Sequence, residues 1–501
     1  MAMLLRTAGA LWLAMAVITA NATTLRIGMV SDPDTLDPAG SGSFVSLKIT
    51  SAICDKLIDI DPDLNYVPVL ATAWQWSDDR RALTLKLRPG LKFQNGEIFD
   101  AAAVKWNITR YQTSPRSKRI SQLKPITNVV VVDPLTVRFE LAAPYAPLLM
   151  LLADRPGMML APRATEQAGP DLTEAPVCLG PYRFVRRIAQ DRTILERNPN
   201  DWDPSRVGVD EVQFVTVPDA SVRLISLRTG QLDLMERVAT TDLDTLRSDI
   251  RLMLVTKPGI GYQSLQFNLA HGPQSDSPLR DPLVREAFEA SIDREALNQV
   301  VFSGQYSANN QPEPIGGTYF DPAFPVPPAD IPRAKALLKQ AGQPHPSFTL
   351  QLSNDPVSAQ TGEVIQAMAA EAGFDVKIQL AEPVALFAAA DRGEFQAISG
   401  IWSGRPDPDQ NISIWVASNG FLNRGNYSNK TLDAILAKAT ETIDVEERKQ
   451  LYHEAAAIYL KDRPYLFLYH YTWLWGASAR LTGFIPYPDG VIRLGNVRLS
   501  P

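Results

Sequence analysis

The sequence predicts an α/β protein built from two or three lobes. Its 501 residues exceed what a single hydrophobic core normally organises. Phe348–Leu352, Ala359–Ala372 and Asp375–Leu380 form a strand, a helix and a strand, with a crossover of ordinary length. Leu83–Leu87 and Leu91–Phe93 are joined by a Pro-Gly turn and form a hairpin. Crossovers combined with hairpins indicate lobes that mix α and β structure.

The other elements follow from periodicity and from end signals along the chain. Ser43 and Asp100 are suited to cap the helices that follow them, and Gly230 and Gly342 to end the helices before them. The remaining predicted strands are Thr24–Met29, Thr136–Leu141, Gly180–Phe184, Thr193–Arg197, Val212–Val217, Leu232–Met235, Gly261–Asn268, Phe395–Ile401 and Leu466–Tyr471. The remaining predicted helices are Val45–Leu57, Ala101–Tyr111, Ser221–Gly230, Pro282–Ile292, Ile331–Gln340, Asn429–Thr442 and Val445–Leu460.

Composition and charge narrow the class of protein. The chain is 45% hydrophobic and 21% charged, as in soluble globular proteins. A net charge of -6 leaves no basic stripe to displace counterions, so nucleic acid is excluded as a partner.

The amino terminus reads as a signal peptide over residues 1–22. A short start with one positive charge, Met1–Arg6, precedes the apolar run Thr7–Ala20. Ala20 and Ala22 put small residues at the positions that specify cleavage, so we expect cleavage after Ala22 and a periplasmic mature protein. No cysteine follows the apolar run, which argues against a lipid anchor there.

Two cysteines, Cys54 and Cys178, remain in the mature chain. In an exported protein such a pair is a disulfide candidate, and the alternative is two separate buried thiols. Two cysteines without clustered histidines cannot form a structural zinc site.

A strand followed by a polar turn gives the strongest candidate site. Phe395–Ile401 is a short buried strand, and the glycine and prolines after it force a turn. The turn holds Trp402, Arg405, Asp407 and Asp409, which offer an aromatic face, a fixed cationic fork and two anionic acceptors. A solvated surface loop with a buried tryptophan is the alternative interpretation.

The sequence lacks the common motifs of catalysis and metal binding. A phosphate-binding P-loop, a hydrolase elbow and a zinc-protease helix are all absent from the sequence. Asp407, Asp409 and Asn411 begin like a calcium loop, but Ile412 and Ser418 occupy the positions of its required Gly and Glu. We therefore predict a protein that is not an enzyme and has no cofactor. An exported hydrolase that uses Asp407 and Asp409 as an acid–base pair is the rival class.

Many short motifs, in order, resemble the peptide/nickel-type solute-binding proteins of ABC transporters (family 5). The first stretch is Leu70–Trp74, then Leu83–Gly90, Phe93, Asn95 and Gly96; Ala103 replaces the usual Asp of the next helix start. The later matches are Gly180–Phe184 (with Cys178 and Leu179 in place of Gly-Thr), Asp219 with Arg223, Leu227–Asp233, Val284–Ala287, Ile292–Arg294, Ala334–Gly342, Tyr427–Asp433 and Pro464–Leu466. The resemblance covers essentially the whole mature chain.

The resemblance implies a two-lobed periplasmic binding protein fold (type II, cluster C-like) with mixed sheets and an extra subdomain in lobe I. Lobe I would take residues 23–265 and 476–501, and lobe II residues 266–475. Gly259–Gly261 and Trp473–Gly476 would be the crossings, where glycines absorb a hinge rotation. Such a protein is a monomer that closes on its ligand and delivers it to an ABC permease, with the ATPase on separate chains.

The turn departs from the pattern of the peptide-binding members at one position. Those proteins carry an Asp that pairs with the ligand's α-ammonium group, and counting from Trp402 this position holds Arg405. A guanidinium favours a carboxylate or a phosphate over an ammonium group. We therefore expect a ligand with a carboxylate held by Arg405.

The predicted ligand-binding residues are Trp402, Ser403, Gly404, Arg405, Asp407, Tyr262, Ser41 and Ser43. Tyr262 and Trp402 would form stacking walls, and the two lobe I serines would give polar contacts. Short peptides, modified peptides such as glutathione, and sugar–amino acid conjugates (opines) all stay open as ligands. A salt bridge from Arg405 to Asp407 or Asp409 within its own turn is the alternative for that residue. A chemoreceptor-coupled binder of the same fold stays open as well.

Overall fold

The computed structural model describes residues 22–169 and 175–500. The predicted signal peptide lies, up to residue 21, outside the described residues. The mixture of helices and strands confirms the predicted α/β class.

In the first half of the chain, the strands are β1 Thr24–Met29, β2 Ile58–Ile60, β3 Tyr66–Pro68, β4 Ala71–Trp76, β5 Ala82–Leu87, β6 Ile126–Asp133, β7 Thr136–Leu141, β8 Tyr182–Ile188, β9 Arg192–Arg197, β10 Glu211–Thr216 and β11 Leu234–Glu236. The helices of this half are α1 Phe44–Ile53, α2 Ala101–Thr113, α3 Ile120–Leu123, α4 Leu148–Leu152, α5 Pro162–Ala168, α6 Ala220–Arg228 and α7 Leu243–Ser248.

In the second half, the strands are β12 Leu252–Phe267, β13 Ser307–Ala308, β14 Ser347–Ser353, β15 Asp375–Ala381, β16 Ala397–Trp402, β17 Tyr465–Ser478, β18 Leu481–Thr482 and β19 Arg498–Leu499. The helices are α8 Pro282–Ser291, α9 Arg294–Phe302, α10 Ile331–Gln340, α11 Pro356–Ala372, α12 Pro383–Asp391, α13 Ser413–Val416, α14 Lys430–Glu441 and α15 Val445–Asp462.

One sheet runs through both halves in the order β15-β14-β16-β12-β17-β11-β1-β10-β9-β8. β1 pairs in parallel with β10 and β11, and β14 pairs in parallel with β15 and β16. The antiparallel strands β12 and β17 join the two groups, because β12 pairs with β16 and β17 pairs with β11. The carboxyl ends of both parallel groups are where ligand sites form in open α/β sheets.

Both joining strands are longer than predicted. The prediction began β12 at Gly261, whereas the strand starts at Leu252. A register shift between Pro258 and Tyr262 lets the ladder continue past the proline and the glycines. β17 likewise continues beyond the predicted Tyr471 to Ser478.

Two glycines in this shift are required by close packing. A Cβ on Gly259 would lie 2.7 Å from Nε1 of Trp473. A Cβ on Gly261 would lie 2.7 Å from the carbonyl oxygen of Trp402. These glycines therefore hold β12 close to β17 and to the end of β16.

A separate four-stranded sheet, β4-β5-β7-β6, packs with α2 around its own core. This unit corresponds to the extra subdomain predicted for lobe I. Its helix begins at the predicted cap, where the Asp100 carboxylate accepts from the Ala103 N–H.

Cys54 and Cys178 are bonded to each other, with their Cα atoms 4.9 Å apart. Helix α1 begins after its predicted cap, Ser43, but ends at Ile53 rather than Leu57. Cys54 is already extended (φ -121°, ψ 107°), and the disulfide fastens it to the segment before β8. The disulfide, and not a pair of free thiols, is what the structure contains.

Candidate functional site

The turn after β16 is shaped by Gly404. This residue has φ +79°, and a Cβ there would lie 2.2 Å from the carbonyl oxygen of Ile260. Only glycine combines that backbone conformation with so close an approach. The turn is thereby pressed against β12 at the end of the sheet.

Asn411 holds the turn in shape with its side-chain amide. Its Oδ1 accepts from Trp402 Nε1 at 3.0 Å and from the Arg405 N–H at 2.8 Å. Its Nδ2 donates to the Arg405 carbonyl at 2.8 Å and to Glu313 Oε1 at 2.9 Å. Its own carbonyl accepts from the Tyr262 hydroxyl at 2.8 Å. A fully buried amide with its donors and acceptors engaged fixes a single geometry.

Glu313 accepts a hydrogen bond from the Asn411 side chain and is itself buried. Burial raises the pKa of its carboxyl to about 8; the hydrogen bond from Asn411 lowers it, and the charge of Asp407 raises it further. At neutral pH this carboxyl is mostly protonated, which avoids an ionised acid in the interior.

Arg405 points from the turn across to the other half of the chain. Its guanidinium lies 4.8 Å from the centre of the Trp402 ring. Nη1 donates to Ser403 Oγ at 2.9 Å and to the Gly404 carbonyl at 2.6 Å. Nε donates to Asp154 Oδ2 at 2.8 Å. Its carboxylate partner is therefore Asp154 and neither acid of its own turn.

Asp154 lies among cations at the end of α4. Its Oδ1 accepts from the Arg155 N–H at 2.8 Å, and Arg155 Nη1 is 3.5 Å from the same oxygen. Burial would raise its pKa, but the charges of Arg405, Arg155, Lys56 and Arg119 outweigh burial and hold the pKa well below the ordinary range. Asp154 is thus an ionised group at any physiological pH.

The two predicted serines, Ser41 and Ser43, contact the arginines near Asp154 through their backbone carbonyls. The Ser41 carbonyl accepts from Arg119 Nη2 at 2.9 Å, and the Ser43 carbonyl accepts from Arg155 Nη2 at 2.6 Å. Ser41 is fully buried, and the Ser43 hydroxyl caps α1 by accepting from the Ser46 N–H. The two carbonyls therefore hold the guanidiniums of Arg119 and Arg155 in place.

Two other predicted contact residues, Tyr262 and Asp407, lie in the protein interior behind the turn. Tyr262 is 1% exposed and is enclosed by Trp415, Phe467 and His470, so it is not a wall of the cleft. Both oxygens of Asp407 accept from Arg448, at 2.7 and 2.8 Å, and the acid is buried. The Tyr262 hydroxyl bonds to Asn411 and the Asp407 carboxylate bonds to Arg448. Both residues therefore stabilise the turn from the interior and do not face a ligand.

Asp409 is also buried, and its hydrogen-bond donors are neutral side chains. Its oxygens accept from Thr440 Oγ1 at 2.7 Å and from Gln410 Nε2 at 3.1 Å. Burial raises its pKa, and the neighbouring charge of Asp407 raises it further. The aspartate pair is thus enclosed in the protein interior and does not open to a substrate.

A cavity of about 30 Å³ lies between the turn and residues from the first half of the chain, joined by two residues near position 490. Gly404, Arg405 and Pro406 form one wall, and the lining residues opposite are Phe44, Leu47, Lys56, Ile60, Met150, Ala153, Asp154, Asp489 and Val491. Two further contacts close the cleft beside it: Gln122 Nε2 donates to Gln410 Oε1 at 3.3 Å, and the Ala146 N–H donates to the Thr440 carbonyl at 2.9 Å. So small a cavity holds only a few waters, and a larger ligand requires these contacts to separate.

The residues that the structure describes give no indication of a metal site or of a membrane-spanning helix. No cluster of three or more His, Cys, Asp or Glu side chains among them is arranged to hold a metal ion. None of the helices in the described ranges is long and apolar enough to span a bilayer.

Five residues around the turn were not predicted as site residues: Asp154, Asn411, Glu313, Arg119 and Arg155. Asn411 had a signal, because it ends the Asp-x-Asp-x-Asn run that was tested as a calcium loop. The others act through partners far away in sequence, such as Asp154 with Arg405, and carry no local motif.

Comparison with known proteins places the chain among solute-binding proteins. Residues 65–423 match the model of the bacterial extracellular solute-binding proteins, family 5 (middle). The glutathione-binding protein GsiB of Salmonella paratyphi A is 31% identical over 477 residues, covering 92% of each chain.

Solved structures match nearly the whole chain. DppA from Helicobacter pylori, a periplasmic binding protein solved with the peptide STSA, has a TM-score of 0.86 and 25% identity, covering 96% of this chain and 99% of its own. The murein tripeptide-binding protein MppA of Escherichia coli has a TM-score of 0.86 and 23% identity, covering 96% of this chain and 99% of its own. The predicted two-lobed periplasmic binding protein fold is confirmed. With more than half of its length matched by the family model, this chain belongs to family 5 of the bacterial extracellular solute-binding proteins.

Proposed function

We propose that the protein captures a short or modified peptide with a free carboxylate in its cleft and delivers it to an ABC importer. The observation that carries the proposal is the position of Arg405, on the closing turn and at the cavity wall. Arg119 and Arg155 lie close enough to influence the same acid, Asp154. Of these three arginines, Arg405 is the one that lines the cavity, and its guanidinium is suited to bind an anionic ligand group.

The relatives support this class of ligand. GsiB is named for glutathione, and DppA was solved with a peptide. Both ligands are peptides with carboxylates.

The domain arrangement we propose is lobe I at residues 23–265 and 476–501 and lobe II at 266–475. The long pairing of β12 with β17 supports it, since these strands connect the two parallel groups of the sheet. Ligand binding then favours the closed form, because only that form contacts the ligand from both sides.

The family supports the transport partners and the location that we propose. We propose an exported monomer, cleaved after Ala22, that works with a permease and an ATPase on separate chains. The family consists of extracellular solute-binding proteins.

We also propose that the protein is not an enzyme. Asp407 and Asp409 were the candidate acid–base pair, and the ion pair with Arg448 and the enclosure of Asp409 speak against that use. Stoichiometric binding of a ligand without turnover is the expected behaviour.

Isothermal titration tests the ligand proposal. The ligands are glutathione, di- and tetrapeptides, their carboxyl-terminal amides and an opine, titrated into wild type and Arg405→Ala. We expect Arg405→Ala to weaken carboxylate ligands about 10- to 100-fold, because it removes a charged hydrogen bond.

Arg424→Ala is the matched control. Arg424 is another partly buried lobe II arginine, but it pairs with Asp391 and lies over Phe387 instead of lining the cavity. Unchanged affinity of Arg405→Ala for every carboxylate ligand would refute the role given to Arg405.

A further inference from the structure

One ion pair joins opposite walls of the cavity. Asp154 and Arg405 both line it, and their side chains are 13% and 14% exposed, so each retains access to the space between them. Their contact, Nε to Oδ2 at 2.8 Å, brings the closing turn against the end of α4.

The other charged residues that line the cavity pair within one wall. Lys56 bonds to Asp59, and Asp489 bonds to Arg493, which also bonds to Asp59. These groups form one connected network and need no new partner when the cleft opens. Among the cavity-lining charges in the described residues, Asp154 and Arg405 are the pair that opening separates.

A ligand that enters between them must replace both partners. If it brings only a carboxylate, Arg405 is satisfied, but Asp154 Oδ2 loses its donor inside a partly buried site. If it brings only an amine, Arg405 Nε is left without an acceptor. Leaving one member of a buried ion pair without its partner is strongly unfavourable, whereas exchanging both partners at once conserves charge.

We propose that Asp154 and Arg405 together recognise a zwitterionic α-amino acid head group, Arg405 binding its carboxylate and Asp154 its ammonium group. This rests on the proposed function and adds Asp154, a lobe I residue, as a determinant of specificity. The γ-glutamyl end of glutathione and a free amino acid both carry such a head group.

The surroundings of Asp154 direct Oδ2 toward the ligand. Oδ1 is held by the Arg155 N–H, while the Nη2 atoms of Arg155 and Arg119 are taken by the carbonyls of Ser43 and Ser41. Oδ2 has Arg405 as its hydrogen-bond donor. An ammonium group that arrives with the carboxylate supplies the donor that Arg405 withdraws.

Matched ligand pairs test the proposal by titration calorimetry on the full mature protein. The probes are glutathione with its N-acetylglutamyl form, and γ-glutamylalanine with its N-acetyl form and with the form whose γ-glutamyl α-carboxylate is an amide. The variants are Asp154→Asn, which keeps an Oδ1 acceptor for the Arg155 N–H, and Arg405→Gln. Circular dichroism verifies that both fold.

In wild type, the free-amine ligand should bind about 10- to 100-fold tighter than its N-acetyl partner. Asp154→Asn should reduce this ratio to about one while keeping the preference for carboxylate over amide, and Arg405→Gln should remove the carboxylate preference. If Asp154→Asn weakens both members of each pair equally, the ion pair is only a closure contact and this inference fails while the proposed function stands. If no ligand of any pair binds, both fail.

Discussion

Replacing Asn411 by alanine should dismantle the turn that carries Arg405. The substitution removes four side-chain hydrogen bonds, to Trp402, to the Arg405 N–H and carbonyl, and to Glu313. At about 1 kcal/mol of net stabilisation each, they sum to about 4 kcal/mol. The loss should lie at about 3 to 5 kcal/mol, because the Arg405 N–H and the buried Glu313 are left without these partners.

The assay is urea unfolding followed by tryptophan fluorescence, with ligand affinity measured by calorimetry. Asn128→Ala is the control, because Asn128 is exposed and its amide makes a hydrogen bond to Glu140 on the neighbouring strand. We expect this control to lose no more than about 0.5 kcal/mol.

Affinity should fall together with stability in the Asn411 variant. The guanidinium of Arg405 is placed by the backbone that Asn411 binds on both sides. A variant within about 1 kcal/mol of wild type and with unchanged affinity would show that Asn411 does not organise the site.

Three further predictions concern the surroundings of the site. Glu313 has a pKa raised to about 8 from an ordinary 4.5, so the folded state holds a proton that the unfolded state releases in this window. The stability that this proton contributes is fully present below the pKa of the unfolded state. It falls by about 1.4 kcal/mol per pH unit as the pH rises toward the pKa of the folded state. The free energy of unfolding of Glu313→Gln, measured with urea at about pH 5, 6.5 and 8, should lack that slope. Parallel pH dependences for the two proteins would contradict the assignment. Reduction of Cys54–Cys178 opens a loop of 124 residues and should cost up to about 5 kcal/mol in thermal unfolding with and without reductant; an unchanged midpoint would exclude a stabilising role. Gly404→Ala should destabilise the protein by more than the roughly 1 kcal/mol expected for Gly90→Ala, because Gly90 has a similar φ of +73° but open space around it; equal losses would contradict the packing argument.

The sequence predicted those parts of the fold that depend on local signals. Thr24–Met29, Thr136–Leu141 and Ile331–Gln340 are found with the predicted bounds, since alternation, helical periodicity and end signals lie within each segment. β12 and β17 were predicted too short, because their continuation depends on pairing with each other across more than two hundred residues.

The site was predicted only in part for the same reason. Arg405 stood out from its place in the turn after Trp402, and the structure does put it at the cavity wall. Asp154 precedes it by 251 residues, and Glu313 reaches Asn411 across 98, so neither partnership leaves a spacing to recognise. Tyr262 looked available for stacking because sequence alone gives no burial, yet its ring is enclosed.

Mass spectrometry of the ligand that copurifies with the full-length exported protein tests the central claim most directly. We expect one bound molecule per chain that carries a free carboxylate and is retained by Arg424→Ala but lost from Arg405→Ala. A bound molecule without a carboxylate, or one that Arg405→Ala retains as well as wild type does, would contradict the role assigned to the turn after β16.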